Sequence, residues 1–256
     1  MLIAIGIIHK KHFNNFGYIV IQNRPKPMKK YYIRYALEFL VITLGVTLSF
    51  FMEYRREKQY KEQLKEQSLS RIYENISSND IPDFELNIRI HEMSIRSAEW
   101  IFEHHNQFTE QMRDSIGYHV MVVSNMGTVL VDNQEEYRSL QNSGLIELIA
   151  NEDLVKGLQN KYTVHNFIKK IEDYNNEMFM QNLQSFASLN MLILSKESTE
   201  FYLPVRSRYT GDLRLPDSFL YDIRLKTNID KQYIGLVQQR LLQDRNILDQ
   251  IETEIK

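Results

Sequence analysis

The chain predicts an all-α protein: one membrane-spanning helix that continues into a stalk, then a helical bundle. Three observations predict it. The 256 residues hold only 9 Gly and 5 Pro, so helix breakers are scarce. Leu, Glu, Gln, Lys and Arg are abundant, and all favour long helices. One apolar run, residues 39–52 (FLVITLGVTLSFFM), changes at once into the charged stretch Glu53-Tyr54-Arg55-Arg56-Glu57-Lys58.

The bulk composition excludes some classes. A formal charge of −2 leaves no global basic field for nucleic acid. With no cysteine there is no disulfide framework, no thiolate metal site and no cysteine nucleophile. A hydrophobic fraction of 43% can supply a core.

Residues 1–27 are expected to be a loose tail or a mis-assigned start. MLIAIGII is too short to span, and Arg24-Pro25-Lys26-Pro27 breaks any helix before Met28. Residues 28–54 form the expected span with its flanks. The apolar run alone reaches about 21 Å at 1.5 Å per residue, whereas a hydrocarbon core needs about 30 Å. Extension back through Tyr31, Tyr32, Ile33, Tyr35, Ala36 and Leu37 makes up the difference. Arg34 and Glu38 then fall one turn apart as a candidate intramembrane pair, with Arg34 able to snorkel. Tyr31, Tyr32, Tyr35 and Tyr54 flank the run as interfacial aromatics. Gly45 and Ser49 give a small-xxx-small spacing that lets two spans approach. Seven Lys/Arg and no acid in residues 1–35 put the N-terminus in the cytoplasm and the rest outside.

Residues 55–80 read as a charged helical stalk, with Glu57 and Lys61 paired at i,i+4. Leu69, Ile72, Tyr73 and Ile76 add an apolar stripe. Asn79-Asp80-Ile81-Pro82 is an expected break before residues 81–256, the helical extracytoplasmic domain. There a helix runs to about Phe108. Another covers residues 111–123, with a hairpin around Ser124-Asn125-Met126-Gly127 as the alternative. A short helix from Asn133 closes at Asn142-Ser143-Gly144, where Gly144 can take the left-handed cap. Asn151 is a good N-cap for a helix through Leu158, Tyr162, His165, Ile168 and Ile171. Residues 196–226, with Pro204, Gly211 and Pro216, read as a long irregular connection. A final helix, residues 229–255, places Ile234, Val237, Leu241, Leu248, Ile251 and Ile255 on a coiled-coil-like seam interrupted by Asp244. That seam must pack on the stalk or on another subunit.

The order of these features resembles the small single-pass proteins of unknown function common in Bacteroidetes-type Gram-negative bacteria. The resemblance rests on Met28-Lys29-Lys30, on Ala36-Leu37-Glu38-Phe39-Leu40-Val41-Ile42-Thr43-Leu44-Gly45-Val46, and on Glu53-Tyr54-Arg55-Arg56-Glu57. It rests also on Tyr137-Arg138-Ser139-Leu140-Gln141-Asn142-Ser143-Gly144, similar to a Tyr-x-x-Leu-x-x-Ser-Gly element. It covers roughly residues 28–256 and implies architecture; it brings no activity or catalytic residue with it.

No nucleophile elbow, P-loop, dinucleotide fingerprint or EF-hand loop is present. The adjacent His104-His105 point about 100° apart on a helix and lack the i,i+4 pair of a zinc helix, so no metal is expected. Tyr137, Asn142, Ser143 and Gly144 are candidates for a turn or pocket. The expectation is a non-catalytic interaction or accessory subunit of a membrane assembly, without cofactor. It sits in the inner membrane with a periplasmic domain, and its partners are the lipid bilayer and a protein or second copy. One alternative is a ligand-sensing bundle with a pocket lined by Trp100, Tyr162 and His165. The other is an enzyme with a dispersed site.

Overall fold

Helices dominate the computed structural model, which describes residues 28–194 and 206–256. The readings made on residues 1–27, on Pro204 and on the start of the irregular connection lie outside the described residues. Seven helices are described: α1 (Met28–Asn75), α2 (Ile81–His104), α3 (Arg113–Asn125), α4 (Glu135–Asn142), α5 (Glu152–Asn175), α6 (Gln181–Asn190) and α7 (Asp217–Ile255). One small antiparallel ribbon pairs β1 (Met191–Ile193) with β2 (Ser207–Tyr209), Leu192 standing opposite Arg208.

The chain divides into two compact units, residues 1–56 and 57–256. In the described part of the first, every residue from Tyr31 to Arg56 is exposed, Phe39 at 72% and Phe50 at 68%. This is the one described helix long and apolar enough to cross a membrane.

The second unit corrects the expected stalk. Only its first turns are solvated, where Lys61 pairs with Glu57 at 2.8 Å. From Leu64 onward α1 is a wall of the bundle, and Leu69, Ile72 and Ile76 are fully buried. The break expected at Asn79-Asp80-Ile81-Pro82 is also corrected. A π turn, Ile76–Asp80, joins α1 to α2 with helical dihedrals at Asn75, Asp80 and Ile81, and Ile81 N–H donates to Ile76 O. Pro82 has no N–H to give, and the wider turn absorbs the missing bond.

Local signals act as the residue chemistry requires. The Asn151 side chain accepts from Asp153 N and Leu154 N at the start of α5. Gly144 adopts φ +72°, the left-handed conformation that ends the α4 turn. At Gly117 on α3 an added Cβ would lie 2.5 Å from Ser207 O, so β2 crosses that helix where no side chain fits.

The expected irregular connection and helix start need correction as well. After β2, α7 begins at Asp217, twelve residues before the seam suggested, because Pro216 stands extended ahead of the first turn with φ −63° and ψ 141°. The seam of α7 is consumed inside its own bundle. Ile223 and Phe219 meet Ile116 and Leu183, Tyr233 and Val237 meet Phe84 and Ile168, and Ile247 and Ile251 meet Leu69, Ile72 and Leu158. Asp244, read as an interruption, is fully buried, as are Lys226, Asp230 and Arg240.

Candidate functional site

The buried stripe of α5 runs Leu154, Leu158, Lys161, His165, Ile168, Glu172, Asn175. That of α7 runs Ile223, Lys226, Asp230, Tyr233, Val237, Arg240, Asp244, Ile247. Helical period therefore delivers charged side chains into the same interior as the apolar ones. Buried charge is tolerated only when paired, and here it gathers around two histidines.

The first group centres on Lys161 and His165. Lys161 Nζ lies 2.7 Å from Asp80 Oδ2 of the π turn and 3.2 Å from each Asp244 carboxylate oxygen. Its third neighbour is His165 Nε2, at 3.0 Å. Arg240 Nη2 donates to Asp244 Oδ1 at 2.7 Å. On the other ring edge, His165 Nδ1 meets Asp132 Oδ2 at 3.1 Å, and Lys169 and Gln134 also hold the Asp132 carboxylate. Burial by itself would raise Asp132, but the bonds from His165, Lys169 and Gln134 hold it well below the usual carboxylate range. Asp244 is likewise lowered: burial opposes ionisation, and His165, Lys161 and Arg240 overcome it. Arg240 Nε and Nη1 and Asp80 Oδ1 have no hydrogen-bond partner among the described residues.

The second group centres on His91 of α2. His91 Nδ1 lies 2.8 Å from Asp230 Oδ1, and Nε2 lies 2.9 Å from Thr128 Oγ1. Thr128 donates to Glu172 Oε1 at 2.8 Å, Tyr233 OH donates to the same oxygen at 2.7 Å, and Leu130 N–H donates to Oε2 at 2.6 Å. Lys226 donates to Asp230 Oδ2 and to Ser94 Oγ, both at 2.8 Å. Burial opposes ionisation of Asp230, but Lys226 and His91 lower it overall. Burial beside Glu172 pushes the Tyr233 hydroxyl far up.

A segment that is neither helix nor strand, residues 126–134, joins the two groups. Thr128 and Leu130 face inward and Val129 and Val131 outward, the alternation of a strand without a strand partner. Asp132, Gln134, Glu135, Arg138, Asn166 and Lys169 line a polar recess of about 470 Å³ at its end. Asp132 forms the inner wall, so the recess borders the first group.

The residues singled out from sequence fall as follows. Arg34 and Glu38 pair at 3.0 Å on the exposed face of α1. Ser49 donates to Gly45 O at 2.9 Å, and the Gly45 face is open. Tyr137 stacks on Tyr162 with centroids 4.5 Å apart. Ser143 donates to Ser139 O at 2.7 Å, and Asn142 and Gly144 are exposed at the adjoining turn. Tyr137 is thus buried within α4, while Asn142, Ser143 and Gly144 form the exposed turn at its end. The expected pocket of Trp100, Tyr162 and His165 is not assembled. Trp100 packs between His104 and His119 in a different apolar cluster from Tyr162. Burial, with His104 nearby, lowers His119 to about 4. His104 and His105 face backbone oxygens of their own turn, and among the described residues no group of His, Asp or Glu is arranged to hold a metal.

Sequence reading missed Asp80, Asp132, Lys161, Glu172, Lys226, Asp230 and Arg240. A signal existed for four of the core charges. Lys226–Asp230 and Arg240–Asp244 are i,i+4 pairs lying in phase with the apolar stripe of α7. Comparisons with protein-family models, with curated proteins and with solved structures return no match.

Proposed function

We propose that this chain is a bitopic membrane protein whose helical bundle serves as a non-catalytic interaction or accessory subunit of a membrane assembly. The observation that carries the reading is the uniform exposure of residues 31–52, in contrast to the buried apolar core within residues 57–256. A bilayer is the solvent that covers such a helix at no cost to its backbone, whose hydrogen bonds are internal. The charge bias ahead of the span favours a cytoplasmic N-terminus and a bundle on the periplasmic side of an inner membrane. The resemblance to single-pass Bacteroidetes-type proteins points the same way. The ionic groups of the interior engage one another, which supports a structural over a catalytic use.

The native chain lacks cysteine, so single cysteines report topology without background. Ser139→Cys in the bundle should react with an impermeant maleimide in intact cells, and Lys30→Cys only after lysis. Recovery of the full chain in the soluble fraction, or the reverse labelling pattern, would overturn the reading. A sensory role is the second reading, favoured by the polar recess beside Asp132. A reproducible thermal shift with a polar metabolite would support it, and crosslinking that traps a stable protein partner would favour the accessory subunit.

A further inference from the structure

The polar recess at the end of residues 126–134 has a floor tied together by its own hydrogen bonds, and Gln134 is the knot. Its Nε2 donates to Asp132 Oδ2 at 2.8 Å and to Asn166 Oδ1 at 3.4 Å, and its Oε1 accepts from Arg138 Nη2 at 3.2 Å. The Asp132 side chain is fully buried and also holds the Lys169 ammonium and His165 Nδ1. Asn133 Oδ1 accepts from Glu135 N–H at 3.0 Å. A floor fixed in this way loses little further freedom when a solute binds.

The bonds of the floor use up acceptors and leave donors over. Asp132, Gln134 Oε1, Asn133 Oδ1 and Asn166 Oδ1 are all engaged. An ammonium has three protons and a guanidinium five. Lys169 spends its contact on Asp132 and Arg138 on Gln134, so each keeps unused N–H groups among the described residues. The Nδ2 amides of Asn133 and Asn166 likewise have no acceptor among the described residues. One acceptor is the exception. The Glu135 carboxylate lines the same recess and makes no hydrogen bond or ion pair among the described residues.

Charge narrows the choice of solute. On the lining, the cations Arg138 and Lys169 balance the anions Asp132 and Glu135. A bare anion gains no net attraction there. A solute that carries both signs keeps the balance, its oxyanion on the spare donors and its cation on Glu135. The volume of about 470 Å³ falls within the range of small-molecule sites, roughly 300–1,000 Å³. None of the described lining residues is aromatic, so the recess offers no stacking platform for a base.

We propose that this recess, on which the sensory reading rests, binds a zwitterionic solute, a free amino acid or short peptide. Its carboxylate meets Arg138, Lys169 and Asn166, and its ammonium meets Glu135.

The test is equilibrium dialysis of the full chain in detergent micelles against a mixture of free L-amino acids and dipeptides. Inorganic phosphate and glycerol are run alongside, and mass spectrometry reads the solutes retained. At least one zwitterion should be retained above empty micelles. Its N-acetyl form, which lacks the ammonium, and its amide, which lacks the carboxylate, should each bind about tenfold more weakly, the loss of one charge-assisted contact. Arg138→Gln should weaken the zwitterion about tenfold as well. Glu135→Gln should bring the zwitterion and its N-acetyl form to the same affinity, a change that general loosening of the fold would not produce. Both side chains are exposed, so the circular dichroism of each variant should match the wild type. If either variant fails to fold, the ranking of the three forms on the wild type still decides the matter. Lys170→Gln, exposed and outside the recess, should leave binding unchanged.

No retained zwitterion, equal binding of the three forms, or binding indifferent to both Arg138→Gln and Glu135→Gln would overturn the proposal. Preferential retention of phosphate or glycerol, lost in Arg138→Gln, would overturn it too, yet leave the sensory reading standing with another ligand. A zwitterion bound with the expected ranking but without a thermal shift would uphold the proposal and sink the sensory reading.

Discussion

The first half of α1 and the length of α7 invert the usual rule for what a helix shows to its surroundings. Residues 31–52 are almost wholly apolar and wholly exposed. α7 buries Lys226, Asp230, Arg240 and Asp244 on the face that also buries Val237 and Ile251. Residue type alone does not set burial in either case. An apolar face needs a low-dielectric surrounding, which a bilayer supplies as well as a core. A charged face needs partners of opposite sign at hydrogen-bond distance, which a core can supply where water would otherwise serve.

The sharpest way to break the α7 half of this comparison is Asp244→Ala. It leaves Lys161 and Arg240 buried without their shared anion, and should cost about 3–5 kcal/mol of stability in denaturant unfolding. Loss below about 1 kcal/mol would mean that water, not Asp244, balances these cations. The α1 half is tested by Leu44→Arg, which places a charge near the middle of the apolar run. Insertion should become less favourable by about 2.5–3.5 kcal/mol, read as depletion from the membrane fraction, with helical content of the bundle unchanged. An equal loss of bundle structure would mean that the run is a core element.

The smallest effect separates a histidine that has no ion partner from the two that do. His119 is stacked on Trp100 at 4.1 Å with Ser97 at its Nδ1. Burial lowers it from 6.5 to about 4, so its contribution to stability is full above about 6.5 and is lost as pH falls towards 4. Because the ring is only half covered, the loss should be modest. Trp100 is the sole tryptophan, so its emission should change over the same range and stay flat in His119→Gln. A flat wild-type profile would show that His119 stays neutral throughout.

Much of the fold was legible. Leu69, Ile72 and Ile76 announced a buried face, Asn151 an N-cap and Gly144 a helix end, because each of these signals acts within one or two turns of itself. The errors arose where a neighbour far along the chain decided the outcome. Pro82 reads as a stop, yet the bundle holds the chain helical through a π turn. The short β1–β2 ribbon depends on the close pass of Ser207 over Gly117, ninety residues apart in sequence. The candidate site was the least legible part. Arg34, Glu38, Gly45 and Ser49 were singled out by spacing and are not among its residues, whereas Lys161 and Asp244 resemble ordinary surface charges until their separation of 83 residues is closed.

Sequence by itself determined the helical class, the apolar run near the start, and the phase of each amphipathic face. These follow from propensity and period, which are properties of neighbouring residues. Tertiary structure alone decided which charges enter the core and which partners they meet there. A buried charge has no tolerable state until its partner arrives, and the partner comes from another helix.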